Sequence, residues 1–191
     1  MLTLLPAAAQ AAPVLLVFGD SLSAGYGLPA KAAWPRLLEA ELARRQSGWR
    51  VVNASVSGET TAGGLTRLPA ALKKYQPRHV VLELGANDGL RGLPPTEMEK
   101  NLATMIRLVR QSGAEVHLVG MALPPNYGAD YTKKFAAVFE KLAREYRTGF
   151  TPFLLAPIIS RPELFQSDGL HPTREAQPLL MQLMLQDLHI Q

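Results

Sequence analysis

The chain has no cysteine among its 191 residues. That excludes disulfides, thiolate nucleophiles and cysteine-ligated zinc. No stretch reaches the ~18 consecutive apolar residues of a membrane-spanning helix, so no stable membrane insertion is expected. The 20 Lys and Arg against 16 Asp and Glu leave a formal charge of +4. The basic residues are scattered, with no basic run interleaved with aromatics, so no nucleic-acid partner is expected. The four histidines, His79, His117, His171 and His189, lack H-E-x-x-H or any similar ligand spacing, so no metal is expected. Neither G-x-G-x-x-G nor the P-loop pattern occurs, which removes support for nucleotide binding and leaves no cofactor expected. The G-x-S-x-G elbow of many serine hydrolases is missing too.

What is present reads as a globular chain, 47% hydrophobic and 19% charged. The opening M-L-T-L-L-P-A-A-A-Q-A-A-P is apolar, and Ala9-Gln10-Ala11 has the small-x-small form of a signal-peptidase site. A basic n-region and a longer apolar h-region are missing. The expectation is a residual signal peptide or disordered tail over 1–12, ahead of one domain over 13–191, in a periplasmic or secreted protein. No surface stripe demands a partner, so a monomer is expected.

Short Val- and Leu-rich runs recur at Val14–Phe18, Val51–Ala54, His79–Leu84 and Val116–Met121, with a weaker fifth at Thr151–Leu155. They lack polar alternation, which predicts buried parallel strands. Helical patterns lie between them, over Ala33–Gln46, Thr61–Tyr75, Thr96–Gln111, Ala129–Tyr146 and Glu175–Leu188. Thr96-Glu-Met-Glu reads as a capping pattern, and Gly113 as a C-terminal stop. Alternating strands and helices predict an α/β fold, a three-layer α/β/α sandwich on a parallel sheet.

In such sheets ligands bind at the carboxyl ends of the strands. The loops expected there are Gly19-Asp20-Ser21, Ser55–Glu59, Gly85–Gly89 and Leu123–Gly128, with Asp168-Gly169-Leu170-His171-Pro172 near the last helix. Together they supply what acyl transfer needs. Ser21 ends a strand and can act as nucleophile. His171 can act as base, and Asp168, three residues earlier, can orient it. Asn87 offers a side-chain N–H, and Gly58 an unobstructed backbone N–H. Each piece alone also has a bland reading. Asp20 or Ser21 can simply cap a helix. D-G-L-H-P can be a turn with Pro172 opening the last helix. G-A-N-D-G is a tight-turn sequence, and Asn53 and Asp88 can serve loop backbone groups.

Four blocks in this order, G-D-S-L-S, S-G-E-T, G-A-N-D and D-G-L-H-P, resemble the SGNH hydrolases, also called GDSL esterases. L-G-A-N-D-G-L-R-G, L-P-P-N-Y-G and the A-Q-P of the last helix are similar to the bacterial periplasmic branch of thioesterases, lysophospholipases and arylesterases. The resemblance implies a flavodoxin-like five-stranded parallel sheet. It also implies Ser21 as nucleophile, His171 as base, Asp168 as orienting acid, and an oxyanion hole from the Ser21 and Gly58 backbone N–H groups with the Asn87 side chain. Hydrolysis of acyl esters and thioesters through an acyl-serine intermediate is what it implies for function.

Leu90, Met121, Leu123, Tyr127 and Leu170 are expected to line an apolar acyl groove, although ordinary packing would also place them there. The loop Asn87–Gly92, with glycines on both sides of Leu90-Arg91, is expected to close over substrate. Two other readings remain. One is a carbohydrate or peptidoglycan O-acetylesterase with the same triad, and the other a flavodoxin-like lipid- or nucleotide-binding module.

Overall fold

The computed structural model describes residues 12–190. The signal-like stretch before them, with Ala9-Gln10-Ala11, lies outside the described residues. Five parallel strands form one sheet: β1 (Val14–Gly19), β2 (Arg50–Asn53), β3 (His79–Glu83), β4 (Glu115–Val119) and β5 (Gly149–Thr151). Their order is β2-β1-β3-β4-β5, the flavodoxin-like order. The register sets Leu15 beside Val51 and His79, and Gly19 beside Glu83.

Burial follows strand position. β1 and β3 are buried along their whole length, as unbroken aliphatic runs require when helices cover both faces. β2 is an edge strand, and there the fully buried expectation fails: Arg50 and Asn53 are exposed. The fifth strand also departs from expectation. It spans Gly149–Thr151 rather than Thr151–Leu155. Pro152 follows directly, and its missing N–H ends the ladder.

The helices are α1 (Ser21–Ala24), α2 (Trp34–Arg44), α3 (Thr61–Tyr75), α4 (Ala86–Leu90), α5 (Pro95–Gln111), α6 (Ala129–Tyr146) and α7 (Gln177–Asp187). α3 packs on α5 and α5 on α6, while α2 packs on α7, giving a helical layer on each side of the sheet. The capping expectation at Thr96 does not hold. Pro94 stands at the cap without a side-chain bond and Pro95 enters the first turn, where its fixed φ suits the helix and no N–H is lost. Gly113 does follow the end of α5 in a left-handed conformation, with φ +84°. Pro172 does not open α7. It forms an isolated antiparallel bridge with Phe165, and the helix begins five residues later.

The last helix is tied to the sheet by a polar chain. Thr151 Oγ1 donates to Asp187 Oδ2 at 2.7 Å and meets His117 Nε2 at 2.8 Å. The hydroxyl hydrogen goes to the carboxylate, so His117 supplies the hydrogen of the second bond. Burial pushes the His117 imidazole down to about 4, so it stays neutral.

Candidate active site

The carboxyl ends of β1 and β3 determine how Ser21 is presented. Gly19 must be glycine, because a Cβ there would lie 2.5 Å from Glu83 Oε2 and 2.9 Å from the Glu83 carbonyl oxygen. Asp20 then caps α1, its Oδ1 accepting the Leu22 N–H at 3.0 Å. The one-turn helix stops at Gly25, whose φ of +75° suits a residue without Cβ. Capping by Asp20 is therefore compatible with a Ser21 side chain presented at the turn. Asp20 is the cap, and Ser21 is left half-buried at the first helical position with its hydroxyl free to face the cleft.

His171 comes from the other end of the chain. Its Nε2 lies 2.9 Å from Ser21 Oγ, and its Nδ1 lies 2.6 Å from Asp168 Oδ2. The second oxygen of Asp168 accepts the backbone N–H groups of Leu170 at 2.9 Å and His171 at 3.0 Å. Those bonds, the His171 N–H first, hold the Asp168 carboxyl down to about 2. An ionised Asp168 only accepts, so His171 Nδ1 carries the hydrogen and Nε2 is left to accept from the Ser21 hydroxyl.

Two residues not singled out in the sequence brace this turn. The Tyr26 ring lies against the His171 ring with centroids 4.4 Å apart. Gln166 Nε2 donates to the carbonyls of Tyr26 at 2.8 Å and Pro172 at 3.0 Å. No motif signals either residue, because each acts through the ring or the carbonyl of a distant segment.

The candidate oxyanion donors lie on the three segments that follow β1, β2 and β3. Among the described residues, the backbone N–H groups of Ser21 and Gly58 have no protein acceptor. Gly58 is exposed with φ +78° and stands outside the apolar cavity beside Ser21. Asn87 lies in the first turn of α4 and lines that cavity. Its amide donates to the Glu59 carbonyl at 3.0 Å and to Asp20 Oδ2 at 3.1 Å. Below it, Asp88 is buried and accepts from Thr61 N–H at 2.8 Å and Thr61 Oγ1 at 2.5 Å, clamping α4 to the start of α3. Asn53 likewise serves the backbone, donating to the Ser23 carbonyl at 2.7 Å.

The sequence pattern of the GDSL-like lipase/acylhydrolase family matches residues 17–178, most of the chain. The chain belongs to that family. It is 46% identical to an arylesterase of Vibrio mimicus over 184 residues, covering 96% of this chain and 92% of that protein. It is 46% identical over 187 residues to the thioesterase 1/protease 1/lysophospholipase L1 of Escherichia coli, covering 98% of this chain and 88% of the relative. The crystal structure of TesA superposes with a TM-score of 0.89 at 45% identity, covering 92% of this chain and 98% of that one.

In this GDSL hydrolase a cavity of about 650 Å³ opens beside Ser21 and His171. Of the residues expected to line it, Leu90, Met121, Leu123 and Leu170 do. Tyr127 does not. Its hydroxyl donates to the Leu90 carbonyl at 3.0 Å, so it supports the loop from behind. Phe153, Leu155, Ile159 and Phe165 complete the wall. All four lie in the irregular connection between β5 and α7; Phe153 and Leu155 fall in the run expected as the fifth strand, and no motif marks Ile159 or Phe165. The Asn87–Gly92 segment is a helical turn rather than an open loop. Gly89 is buried there, and a Cβ would lie 2.6 Å from the Phe135 ring and 2.7 Å from Leu123 Cδ2.

Behind Ser21 lies a buried acid, at the end of β3, that no motif signals. Glu83 is fully buried; its Oε2 accepts the Ser23 hydroxyl at 2.7 Å, and its Oε1 has no partner. Burial, and then the nearby Asp20 carboxylate, raise the Glu83 carboxyl well above its usual range, so it is held neutral. Burial also raises Asp20, to about 6, while the Leu22 N–H, His171 and Asn87 pull it down. An acid raised by folding holds a proton that the unfolded chain has released. Its stabilisation is full below the unfolded value and is lost as pH rises through the folded one. Above the ordinary glutamate range the Glu83 contribution should weaken as pH rises. Glu83→Gln is therefore expected to flatten the fall of unfolding free energy with pH in denaturant titrations. Parallel slopes for the variant and the parent protein would reject the neutral Glu83.

Proposed function

We propose that the protein hydrolyses carboxylic esters and thioesters of acyl chains, with Ser21 as nucleophile, His171 as general base and Asp168 orienting it. The supporting observation is the continuous hydrogen-bonded line from Asp168 through His171 to Ser21 Oγ, ending at an apolar cavity of about 650 Å³. His171 Nε2 takes the Ser21 proton as Oγ attacks the carbonyl carbon, and the acyl chain lies along Leu123, Leu155 and Phe165. His171 then returns the proton to the departing alcohol or thiol. A water, deprotonated by the same nitrogen, cleaves the acyl-serine.

The oxyanion would be met by the Ser21 and Gly58 backbone N–H groups and by Asn87. In the resting enzyme an Asn87 hydrogen is given to Asp20. A neutral substrate carbonyl accepts too weakly to displace a carboxylate, whereas an oxyanion competes for that hydrogen. The donor is thus engaged mainly as charge develops, which lowers the barrier rather than tightening substrate binding.

An acetyl group would leave most of the cavity unfilled, so the acetylesterase reading is not favoured. The test is a series of p-nitrophenyl esters from acetate to palmitate, expected to peak at medium or long chains. Activity confined to acetate would overturn the acyl-chain reading. Ile159 stands at the rim, 58% exposed. Ile159→Glu places a charge where the chain enters and is expected to lower the palmitate-to-acetate ratio of kcat/KM by about tenfold.

We also propose an exported monomer. Ala9-Gln10-Ala11 supports processing, and N-terminal sequencing of the periplasmic fraction tests it. The exposed Ile159 and Leu170 belong to the cavity rim, so sedimentation equilibrium is expected at the mass of one chain.

A further inference from the structure

We infer that Arg91 forms a subsite for a phosphate group on the leaving portion of the substrate, across Ser21 from the acyl cavity. The inference rests on the acyl-hydrolase reading above and adds which leaving groups the site selects.

The position follows from the order of the strands. The far cavity wall is built after β4 and β5, from Met121 and Leu123 to Phe153 and Leu155. Gly58 follows β2, at the opposite end of the sheet. Arg91 follows α4 immediately after Leu90, but its side chain does not join Leu90 in the cavity wall. Its Nη2 reaches instead to the Gly58 carbonyl at 3.0 Å, and Arg91 is exposed. An acyl chain that fills the cavity directs the remainder of the substrate towards this open side.

The chemistry follows from the neighbouring charges. Each acid around the cleft is already engaged. Asp168 holds His171, Asp88 holds Thr61, and Glu59 pairs with Arg67 at 2.5 Å. Asp20 and Glu83 are buried. Among the described residues Arg91 forms no ion pair, and the bond to Gly58 uses one of its five N–H donors. The remaining donors form a planar fork suited to two phosphate oxygens.

The segment that carries Arg91 is also held in place. Tyr127 Oη donates to the Leu90 carbonyl at 3.0 Å, and Tyr131 Oη donates to the Leu93 carbonyl at 2.8 Å. A cation carried on a segment held in this way needs less ordering when its ligand arrives. A lysophospholipid and an acyl-CoA thioester both carry phosphate in the leaving portion.

The test compares three substrates with one dodecanoyl chain: the CoA thioester, lysophosphatidylcholine, and the uncharged monoacylglycerol. Arg91→Gln is expected to lower the ratio of kcat/KM, phosphate-bearing over uncharged, by about tenfold and mainly through KM. Arg91→Lys keeps the charge and should recover part of the ratio. A fall for the thioester alone assigns the subsite to CoA, and a fall for lysophosphatidylcholine alone assigns it to the lipid headgroup.

The unaltered protein gives an independent measure. Raising salt from about 20 to about 500 mM shortens the screening length from roughly 20 to 4 Å and should raise KM for the thioester more than for the monoacylglycerol. A ratio unchanged in Arg91→Gln, with no differential salt effect, overturns the subsite. Failure of the hydrolase reading itself is distinct, appearing as no turnover of the uncharged ester by the unaltered protein.

Discussion

Ser21→Ala is expected to lower kcat for ester hydrolysis by about 10⁴–10⁶, leaving only what binding and oxyanion donors supply. The change removes one oxygen from a half-buried site. Ser21 Oγ bonds only His171 Nε2 among the described residues, so the fold should be undisturbed and Tm should move little. His171→Ala is expected to cost a similar factor, because an unactivated hydroxyl at neutral pH is a poor nucleophile. The double variant should be no worse than either single one, since the two side chains act as one unit. Burst kinetics with a p-nitrophenyl ester provide the measurement. If Ser21→Ala keeps more than about a tenth of the activity, the nucleophile lies elsewhere, given the factor expected for a triad serine.

Asn87→Ala carries the next largest expectation, a fall in kcat of about 10²–10³ with KM within about twofold. The asymmetry comes from the Asp20 carboxylate. While it holds an Asn87 hydrogen, ground-state substrate gains little from the amide, so its removal should not weaken substrate binding. The change also strips a donor from the Glu59 carbonyl and from Asp20, so Tm should fall modestly. A rise in KM that accounts for the whole loss of kcat/KM would show that Asn87 binds substrate rather than the oxyanion. Asn87→Asp separates the roles further. It keeps the size but gives the site a carboxylate, which repels both Asp20 and the oxyanion, and should be at least as inactive as the alanine variant.

The parts of the fold legible in the sequence were those governed by local pattern. The fully apolar runs of β1 and β3 mark central strands, and α3 and α6 occupy the ranges their periodicity predicts. Edges were harder to read. Burial of β2 depends on having a neighbour on one side only, and β5 stops at Pro152 where an aliphatic run continues to Leu155. The site divides in the same way. Ser21 and Asn87 lie in the polar segments that follow β1 and β3, Asp168 and His171 lie in a short polar turn before α7, and the fold brings them together. The far cavity wall does not announce itself, because Phe153, Leu155, Ile159 and Phe165 are aligned by tertiary packing of an irregular segment. Tyr127 shows the complementary case: an aromatic residue near the site can turn its polar end to a carbonyl rather than its face to the cavity. Glu83 lies inside the apolar run His79–Leu84, which carries no signal for a buried acid; its carboxyl faces the turn that follows the neighbouring strand.

Asp168 and His171 share one short turn, held by the Asp168 bonds to its backbone and by the bridge from Phe165 to Pro172. The proposed acid and base therefore travel as a cassette. Only one long-range distance, from His171 to Ser21, must survive when surrounding segments diverge, and Gln166 and Tyr26 maintain it. Lengthening or recomposing the stretch between β5 and Leu164 would remodel the acyl wall without misaligning acid and base. Such a layout lets lineages, or a laboratory library confined to residues 153–161, explore new substrates while the reactive turn stays intact.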